Sequence, residues 1–273
     1  MNTKTWFITG TSRGFGREWA LAALRRGDKV AGTARDTETV KDIAAEFGDR
    51  FLPIKLDVTD RAADFAAVKE AFDHFGTVDV VINNAGYGLF GAIEEIPEKE
   101  ARAQMETNFF GALWVTQAAL PFLRKQGHGH ILQVSSIGGI GAFPGLGMYH
   151  ASKWALEGMS DALSQEVAQF GIKVTIVEPG GFSTDWAGSS ATRIKENPAY
   201  DSIRMSRPSA RPGVTIGDPK ASAEAILKVV DAEHPPLRIL FGAFATQIVQ
   251  PLYEQRLKIW KEWEEVSKAA DGF

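Results

Sequence analysis

A glycine-rich turn near the start of the chain joins a predicted β-strand to a predicted helix. The run Thr5–Thr9 is short and apolar, glycines follow at Gly10, Gly14 and Gly16, and a helical pattern begins there. Glycines let a backbone approach a pyrophosphate, and the free N–H groups at a helix N-terminus hold its charge. Three glycines at this spacing also arise by chance. The order of strand, turn and helix is what predicts a dinucleotide site.

Further predicted strands alternate with helical or mixed stretches along the rest of the chain. Such alternation is typical of an α/β fold built on a parallel sheet. The 273 residues show no internal boundary, so we expect residues 1–273 to form a single domain. The six further strands are predicted at Lys29–Ala34, Phe51–Leu56, Val78–Asn83, His130–Ser135, Lys173–Glu178 and Leu237–Phe241.

Composition excludes several classes of function. The chain has no cysteine, which rules out disulfides, thiolate catalysis and cysteine-ligated metal, and its five histidines lack metal-type spacing, so no metal is expected. A net charge of −4 without basic runs argues against a nucleic-acid partner. No apolar stretch approaches the length of a membrane span, and no leader pattern precedes the first strand. We therefore expect a cytoplasmic protein without a membrane partner.

A tyrosine and a lysine lie four residues apart in a predicted helix that runs from about Met148 to Phe170. Tyr149 and Lys153 then share one helix face, one turn apart, with Ser136 thirteen residues before the tyrosine. Lowering a tyrosine pKa from about 10 to neutrality takes roughly 4 kcal/mol. One cation about 4 Å away supplies about that much. The pair predicts a general acid or base for ketone and alcohol interconversion. A tyrosine followed by a lysine at this spacing, without other motifs, also arises by chance.

Several short motifs follow one another along the chain between positions 9 and 180. They are Thr9-Gly10-x3-Gly14-x-Gly16, Asp57-Val58, Asn83-Asn84-Ala85-Gly86, Asn108, Ser136, Tyr149-x3-Lys153 and Pro179-Gly180. Taken together, they resemble the motifs of the short-chain dehydrogenase/reductase family, in its single-domain branch, and occur in that family's order. The resemblance implies a Rossmann-type, doubly wound, seven-stranded parallel sheet with helices on both faces, and an NADP- or NAD-dependent oxidoreductase.

The residues after the second strand indicate the cofactor. In this fold an acidic residue there binds the ribose 2′-hydroxyl of NAD, whereas arginine accommodates the 2′-phosphate of NADP. The acid's position in the family pattern is Ala34, followed by Arg35, and Arg13 lies in the glycine turn. These arginines predict NADP(H). The alternative is that both are solvated surface charges and that Asp36 replaces the acid two positions late.

The resemblance also assigns a set of cofactor contacts. Asp57 and Val58 would contact the adenine, Asn84–Gly86 the adenosine ribose side, and Pro179–Thr184 the nicotinamide amide. Alternatively, Asp57 is a helix N-cap and Asn84 a turn former. The predicted cofactor-binding residues are Gly10, Ser12, Arg13, Gly14, Phe15, Gly16, Arg35, Asp57, Val58, Asn84, Ala85, Gly86, Tyr149, Lys153, Pro179, Gly180, Phe182 and Thr184.

The predicted catalytic residues are Ser136, Tyr149, Lys153 and Asn108. By resemblance, Ser136 orients the carbonyl and Lys153 binds the nicotinamide ribose. Asn108, inside a predicted helix at 101–124, would hold a water that links Lys153 to solvent; otherwise it is a satisfied polar core residue.

An apolar set of side chains after the strand ends predicts a hydrophobic ketone or alcohol substrate, unless these residues serve only packing. Residues 183–217 predict a lid whose arginines, at 193, 204, 207 and 211, either meet an anionic group or are solvated. The apolar set comprises Tyr87, Leu89, Phe90, Phe143, Leu146, Met148, Phe182 and Trp186.

The chain ends in a predicted helical extension at about 245–268, where many family members have a glycine-rich tail. That difference casts doubt on the family's usual tetramer contact, but a homodimer or homotetramer through the helices near 101–124 and 149–169 remains the expectation. The extension and the Ala34-Arg35 pattern are most similar to hydroxysteroid-dehydrogenase-like and carbonyl-reductase members. The expected function is an NADPH-dependent carbonyl reductase. The alternative is a non-catalytic NADP(H)-sensing module on the same fold.

Overall fold

Short strands and longer helices alternate throughout the computed structural model, which describes residues 3–205 and 216–272. The strands are β1 Thr5–Ile8, β2 Lys29–Ala34, β3 Phe51–Lys55, β4 Val80–Asn83, β5 Leu89–Phe90, β6 Gly129–Val134, β7 Ile172–Pro179, β8 Thr192–Arg193 and β9 Arg238–Phe241. The α-helices are α1 Gly14–Arg26, α2 Lys41–Phe47, α3 Arg61–Phe75, α4 Glu98–Met105, α5 Gly111–Gln126, α6 Gly147–Val167, α7 Asp201–Met205, α8 Ser222–Asp231, α9 Ala243–Glu262 and α10 Glu264–Ala269.

Seven of these strands pair in parallel in the order β3-β2-β1-β4-β6-β7-β9. This is the predicted doubly wound sheet, and the strands lie within about two residues of their predicted bounds. β5 and β8 form a separate two-stranded ribbon, which joins the loop after β4 to the lid region. The chain reverses its winding direction between β1 and β4, which is where such sheets bind ligands.

The central strands are buried on both faces because helices cover each side of the sheet. All four residues of β1 are buried, and their side chains alternate between the two faces. Trp6 and Ile8 pack with Trp19 in the layer beneath α1 and α8. Phe7 packs on the opposite face, in the layer that includes Leu123 of α5. Burial of these large side chains fixes the register of the sheet, and with it the position of each strand end.

Two predicted helices differ from expectation in detail. The 101–124 helix is divided, because a π-helical segment at Glu106–Phe110 separates α4 from α5. The predicted C-terminal helix is two helices, α9 and α10, which meet at Trp263. None of the described helices is long and apolar enough to cross a membrane.

Candidate active site

A cavity of about 700 Å³ opens at the carboxyl edge of the sheet. Loops after β1, β2, β3, β4, β6 and β7 all contribute to it, so residues scattered over the sequence meet there. Of the predicted cofactor-binding residues, Gly16 is the one outside its lining, and Ser136, Tyr149 and Lys153 line its floor. Asn108 does not line the cavity.

The glycine turn has the backbone geometry that a pyrophosphate site needs. Gly10 and Gly14 have φ angles of 72° and 59°, values that side-chain-bearing residues rarely adopt. Helix α1 starts without a side-chain cap on its N–H groups and without an acidic residue in its first turn. These free donors and the positive end of the helix dipole fit a bound phosphate. The Asn84 amide holds the turn in place by donating to the carbonyls of Thr9 at 2.9 Å and Gly10 at 3.1 Å.

Gly16 acts by close packing. A Cβ there would lie 2.3 Å from the Gly10 carbonyl oxygen and 2.5 Å from the Asn84 amide nitrogen. We expect Gly16→Ala to lower the free energy of unfolding by about 1–3 kcal/mol, because the backbone around Gly10 must move to make room for the new methyl group. The same movement should weaken dinucleotide binding. Gly158→Ala is the matched control: nothing lies within 4 Å of its Cβ position in α6, so about 0.5–1 kcal/mol of stabilisation is expected there. Chemical denaturation measures both, and equal effects would contradict the packing argument.

The two arginines expected at the 2′-phosphate both line the cavity. Arg35 is exposed on its lining. Arg13 forms an ion pair with Asp185 of the lid, 2.5 Å away. The Ser190 and Ser189 hydroxyls lower the pKa of Asp185 to about 2, so this carboxylate stays charged. A phosphate would have to compete with Asp185 for Arg13, whereas Arg35 has no such competitor among the described residues.

The acidic alternatives to these assignments find other partners. Asp36 caps the 3₁₀-helix that follows it by accepting from the Glu38 N–H at 3.0 Å, and it lies outside the cavity lining. Asp57 is not the helix N-cap considered above, because Asp60 caps α3. The Asp57 carboxylate instead accepts from the Thr59 N–H at 3.0 Å and the Thr59 hydroxyl at 2.8 Å. Asp57 thus shapes the loop after β3, where it lines the cavity.

Tyr149 and Lys153 lie one turn apart on α6, as predicted, and are 6% and 5% exposed. The Lys153 ammonium donates to the Val134 carbonyl at 2.8 Å and lies 5.9 Å from the Tyr149 ring centroid. Ser136 hydrogen-bonds to Tyr149 and accepts from the Gly138 N–H at 3.0 Å. Hydroxyl, phenol and ammonium therefore meet at one point of the cavity floor.

The expected lowering of the Tyr149 pKa is wrong for this structure. Burial raises the pKa of Tyr149 to about 12, and the Ser136 hydrogen bond offsets only part of that rise. Burial also lowers the pKa of Lys153 to about 8, although the negative charge of Glu157 partly raises it again. Both groups lose hydration, which disfavours the charged form of each. Spacing alone gave the cation's attraction but not this desolvation.

Asn108 lies in the π-helical segment with its side chain fully engaged. Its amide donates to the Tyr87 carbonyl and the Ser152 hydroxyl, each at 3.1 Å, and its oxygen accepts from the Tyr87 N–H at 3.0 Å. Ser152 in turn donates to the Tyr149 carbonyl at 2.6 Å. The side chain is thus a satisfied buried group, and the water that Asn108 is expected to hold stays a prediction. What Asn108 does is brace the start of α6 beside Tyr149.

An aromatic side chain of the predicted lid segment, Trp186, packs against the tyrosine. The Trp186 ring lies 4.9 Å from that of Tyr149 and 5.3 Å from that of Phe90, between centroids. Tyr87, Phe182 and Trp186 line the cavity, whereas Leu89 is core. Phe90, Phe143, Leu146 and Met148 lie outside its lining. Three of the eight residues in the predicted apolar set thus line the cavity.

The described lid arginines are held by protein groups. Arg193 stacks on Phe90 at 4.4 Å, and Arg204 pairs with Glu95 at 2.8 Å. Arg207 and Arg211 lie outside the described residues. Asp185, which pairs with Arg13, was not singled out by sequence reasoning, because an acid in a polar loop looks the same whether solvated or paired. Among residues 3–205 and 216–272, no three acidic or histidine side chains are grouped to hold a metal ion.

Comparison with known proteins agrees with the fold and the motifs. The model of the short chain dehydrogenase family matches residues 4–195. The chain belongs to the short-chain dehydrogenase/reductase family of oxidoreductases. Oxidoreductase BOA17 of Botryotinia fuckeliana is 44% identical to this family member over 277 aligned residues, covering 98% of this chain and 99% of its own.

Solved structures of the family superpose over nearly the whole chain. A short-chain dehydrogenase from Streptomyces avermitilis is 40% identical, with a TM-score of 0.92 and 98% of each chain covered. A Burkholderia cenocepacia short chain dehydrogenase in complex with NADP is 28% identical, with a TM-score of 0.76, 96% of this chain and 97% of that one. Other matched structures of the family hold NADP, NADPH or NADH.

Proposed function

We propose that this protein is an NADPH-dependent carbonyl reductase that acts on hydrophobic ketones and, in reverse, on secondary alcohols. The observation that carries the proposal is that Ser136, Tyr149 and Lys153 line the same cavity as the glycine turn. A binding module needs the turn and the arginines, but it does not need a buried proton donor beside a hydroxyl.

The side chains have distinct roles in this proposal. NADPH supplies the hydride when bound. Ser136 and Tyr149 hydrogen-bond the substrate oxygen, and Tyr149 donates a proton as negative charge develops there. Its raised pKa suits reduction, because it keeps the phenol protonated at neutral pH and an alkoxide is more basic still. Lys153 stabilises the phenolate that results, and Asn108, through Ser152, fixes the helix that carries both.

The cofactor preference rests on charge at the adenosine end. Arg35 lines the cavity where the second strand ends, and Asp36 is turned to another task. The free N–H groups of α1 would bind the pyrophosphate of NADP(H) and of NAD(H) equally well. Recognition of the 2′-phosphate therefore depends mainly on Arg35, with Arg13 contributing when it leaves Asp185.

The hydrophobic substrate class rests on the walls around the tyrosine. Trp186 packs against Tyr149, and Tyr87 and Ile216 also line the cavity. Neither Arg193 nor Arg204 is free to bind an anionic substrate group, because each has a partner in the protein. An uncharged ketone flanked by apolar groups fits this lining.

The test is cofactor oxidation by the purified protein over a panel of aliphatic, aromatic, steroid and keto-ester carbonyls, with NADPH and NADH in parallel. Turnover of the apolar ketones with NADPH is expected. Tight NADPH binding without turnover of any carbonyl, or of alcohols in reverse, would favour the non-catalytic sensing module. A preference for NADH would overturn the argument from the arginines.

Arg35→Leu should weaken NADPH binding about 10- to 100-fold, the value of one charge-assisted contact. NADH binding should stay nearly constant, because NADH lacks the 2′-phosphate. Titration calorimetry with both cofactors measures the two effects. Arg25→Leu, an exposed arginine in the last turn of α1, is the control for a general loss of positive charge. Equal weakening of both cofactors by Arg35→Leu would show that Arg35 does not read the phosphate.

A further inference from the structure

Two buried carboxyl groups lie behind the candidate catalytic residues, and the roles assigned above use neither. Glu157 follows Lys153 by one turn of α6, and Glu178 lies near the carboxyl end of β7. They are 7% and 2% exposed. Burying a carboxylate is costly unless charge or hydrogen bonds compensate it. The groups that compensate the burial of these two carboxyl groups therefore indicate their role.

The guanidinium of Arg238 lies within 4 Å of three carboxyl groups. Arg238 of β9 lies 3.2 Å from Glu157 Oε2 and 3.8 Å from Glu178 Oε1, and it donates to Asp161 at 2.7 Å. Three carboxylates would leave excess negative charge in a site with little water. One of the two buried groups therefore retains its proton.

The retained proton lies between Glu157 and Glu178. The two side chains lie within hydrogen-bonding reach, yet the Oε1 atom of each is buried without a donor among the described residues. A proton on Glu178 directed at Glu157 satisfies both. Burial, with the charge of Glu157 added, raises the pKa of Glu178 to about 8. Arg238 lies closer to Glu157 than to Glu178, so Glu157 is the better compensated anion and Glu178 the acid of the pair.

The carboxylate of the pair is held firmly. Burial raises the pKa of Glu157, and the neighbouring Ser135, Arg238 and Lys153 all oppose that rise. A Cβ on Gly139 would lie 2.5 Å from the Ser135 hydroxyl and 2.9 Å from Glu157 Cγ, so Gly139 packs closely against both side chains. A fixed anion one turn from a buried ammonium stabilises the charged form of that ammonium.

We infer that the Glu157–Glu178 carboxyl pair is a positioning pair that keeps Lys153 charged beside Tyr149. Glu157 is the anion of the pair, and the proton that Glu178 carries holds this anion in place. The inference rests on the reductase function proposed above. The titratable or charged groups that face the pair are Lys153 and Asp161 from α6 and Arg238 from β9, and Tyr149 also faces Lys153.

The direct test follows the ionisation of Lys153 without any turnover. Protein labelled with ¹³C-lysine is titrated by NMR, and the Lys153 signal is assigned by its loss in Lys153→Met. We expect Glu157→Gln to lower the midpoint by about one pH unit, a tenfold change in the ionisation constant. Glu178→Gln, which keeps a neutral donor opposite Glu157, should shift it by less than half as much. Asp161→Asn, an exposed partner of the same arginine, is the matched control and should leave it unchanged.

Two results of this titration would contradict the inference. Equal shifts in Glu157→Gln and Asp161→Asn, or no shift in Glu157→Gln, would overturn the inference. If Glu157→Gln does not fold, Glu178→Gln must still move the Lys153 midpoint relative to Asp161→Asn, and equality of those two would overturn it.

A second measurement separates this inference from the proposed function. If the reductase is correct, the alkaline limit of kcat should move to lower pH in Glu157→Gln by the shift seen for Lys153. A moved NMR midpoint in a protein without turnover would sustain the carboxyl pair and refute the reductase. A moved midpoint with an unmoved pH profile would show that the charge of Lys153 does not limit catalysis, and would overturn the role of the pair.

Discussion

Tyr149→Phe should lower kcat by about 10³-fold or more, because it removes the group that donates the proton and leaves the cavity shape intact. The phenol is buried, next to Ser136, and water has little access to replace it. NADPH affinity should change by less than about threefold, since no charge is lost. Steady-state reduction of the best ketone of the panel and fluorescence titration of NADPH measure the two effects.

The matched control is Tyr87→Phe, which makes the same chemical change in the same cavity. The Tyr87 backbone binds Asn108, but its hydroxyl has no assigned role, so kcat should stay within about threefold of wild type. If Tyr149→Phe kept more than about a tenth of wild-type kcat, a tyrosine general acid would be refuted. Comparable losses in both variants would indicate a packing effect of the hydroxyls.

Local patterns in the sequence carry the parts of the structure that local geometry determines. The strand, glycine turn and helix around Gly10 and Gly16 follow from periodicity and from residues that tolerate close backbone approach. Tyr149 and Lys153 share a helix face because four residues are about one helical turn. These features were predicted because each depends on neighbours a few residues away.

The remaining features depend on contacts between distant parts of the chain. Arg13 pairs with Asp185, 172 positions later, and no local pattern distinguishes that carboxylate from a solvated one. The Tyr149 pKa is raised by burial, which spacing cannot report. The π-helical turn at Asn108 lies in a stretch whose composition suits a continuous helix. In each case tertiary packing decides.

Asp64→Val should stabilise the protein, and increasingly so as the pH rises. Asp64 of α3 is fully buried, and neither carboxyl oxygen has a hydrogen-bond partner among the described residues. Burial, with the nearby charges of Asp60 and Asp57, raises the pKa of Asp64 from 3.8 to about 8. An unpartnered buried carboxyl destabilises the fold, whereas valine has a similar size and no polar atom to desolvate.

The sign of the pH dependence follows from the raised pKa. Between about pH 4 and 8 the folded protein keeps the Asp64 proton that the unfolded chain has lost, so stability falls as pH rises. This contribution is complete below the unfolded pKa and is lost as pH reaches the folded one. The gain in Asp64→Val should therefore grow by up to about 1.4 kcal/mol per pH unit, reaching about 2–4 kcal/mol near neutrality.

Urea denaturation of wild type and variant across this pH range measures the difference, which cancels the contributions of other titrating groups such as Glu178 and His130. Asp73→Val is the control on the same helix: Asp73 is exposed and pairs with Lys69, so a loss of about 1 kcal/mol or less, nearly independent of pH, is expected. A gain in Asp64→Val that did not change with pH would mean that valine acts by packing or helix propensity. A loss of stability would mean that the Asp64 carboxyl has a partner, such as an ordered water, that compensates its burial.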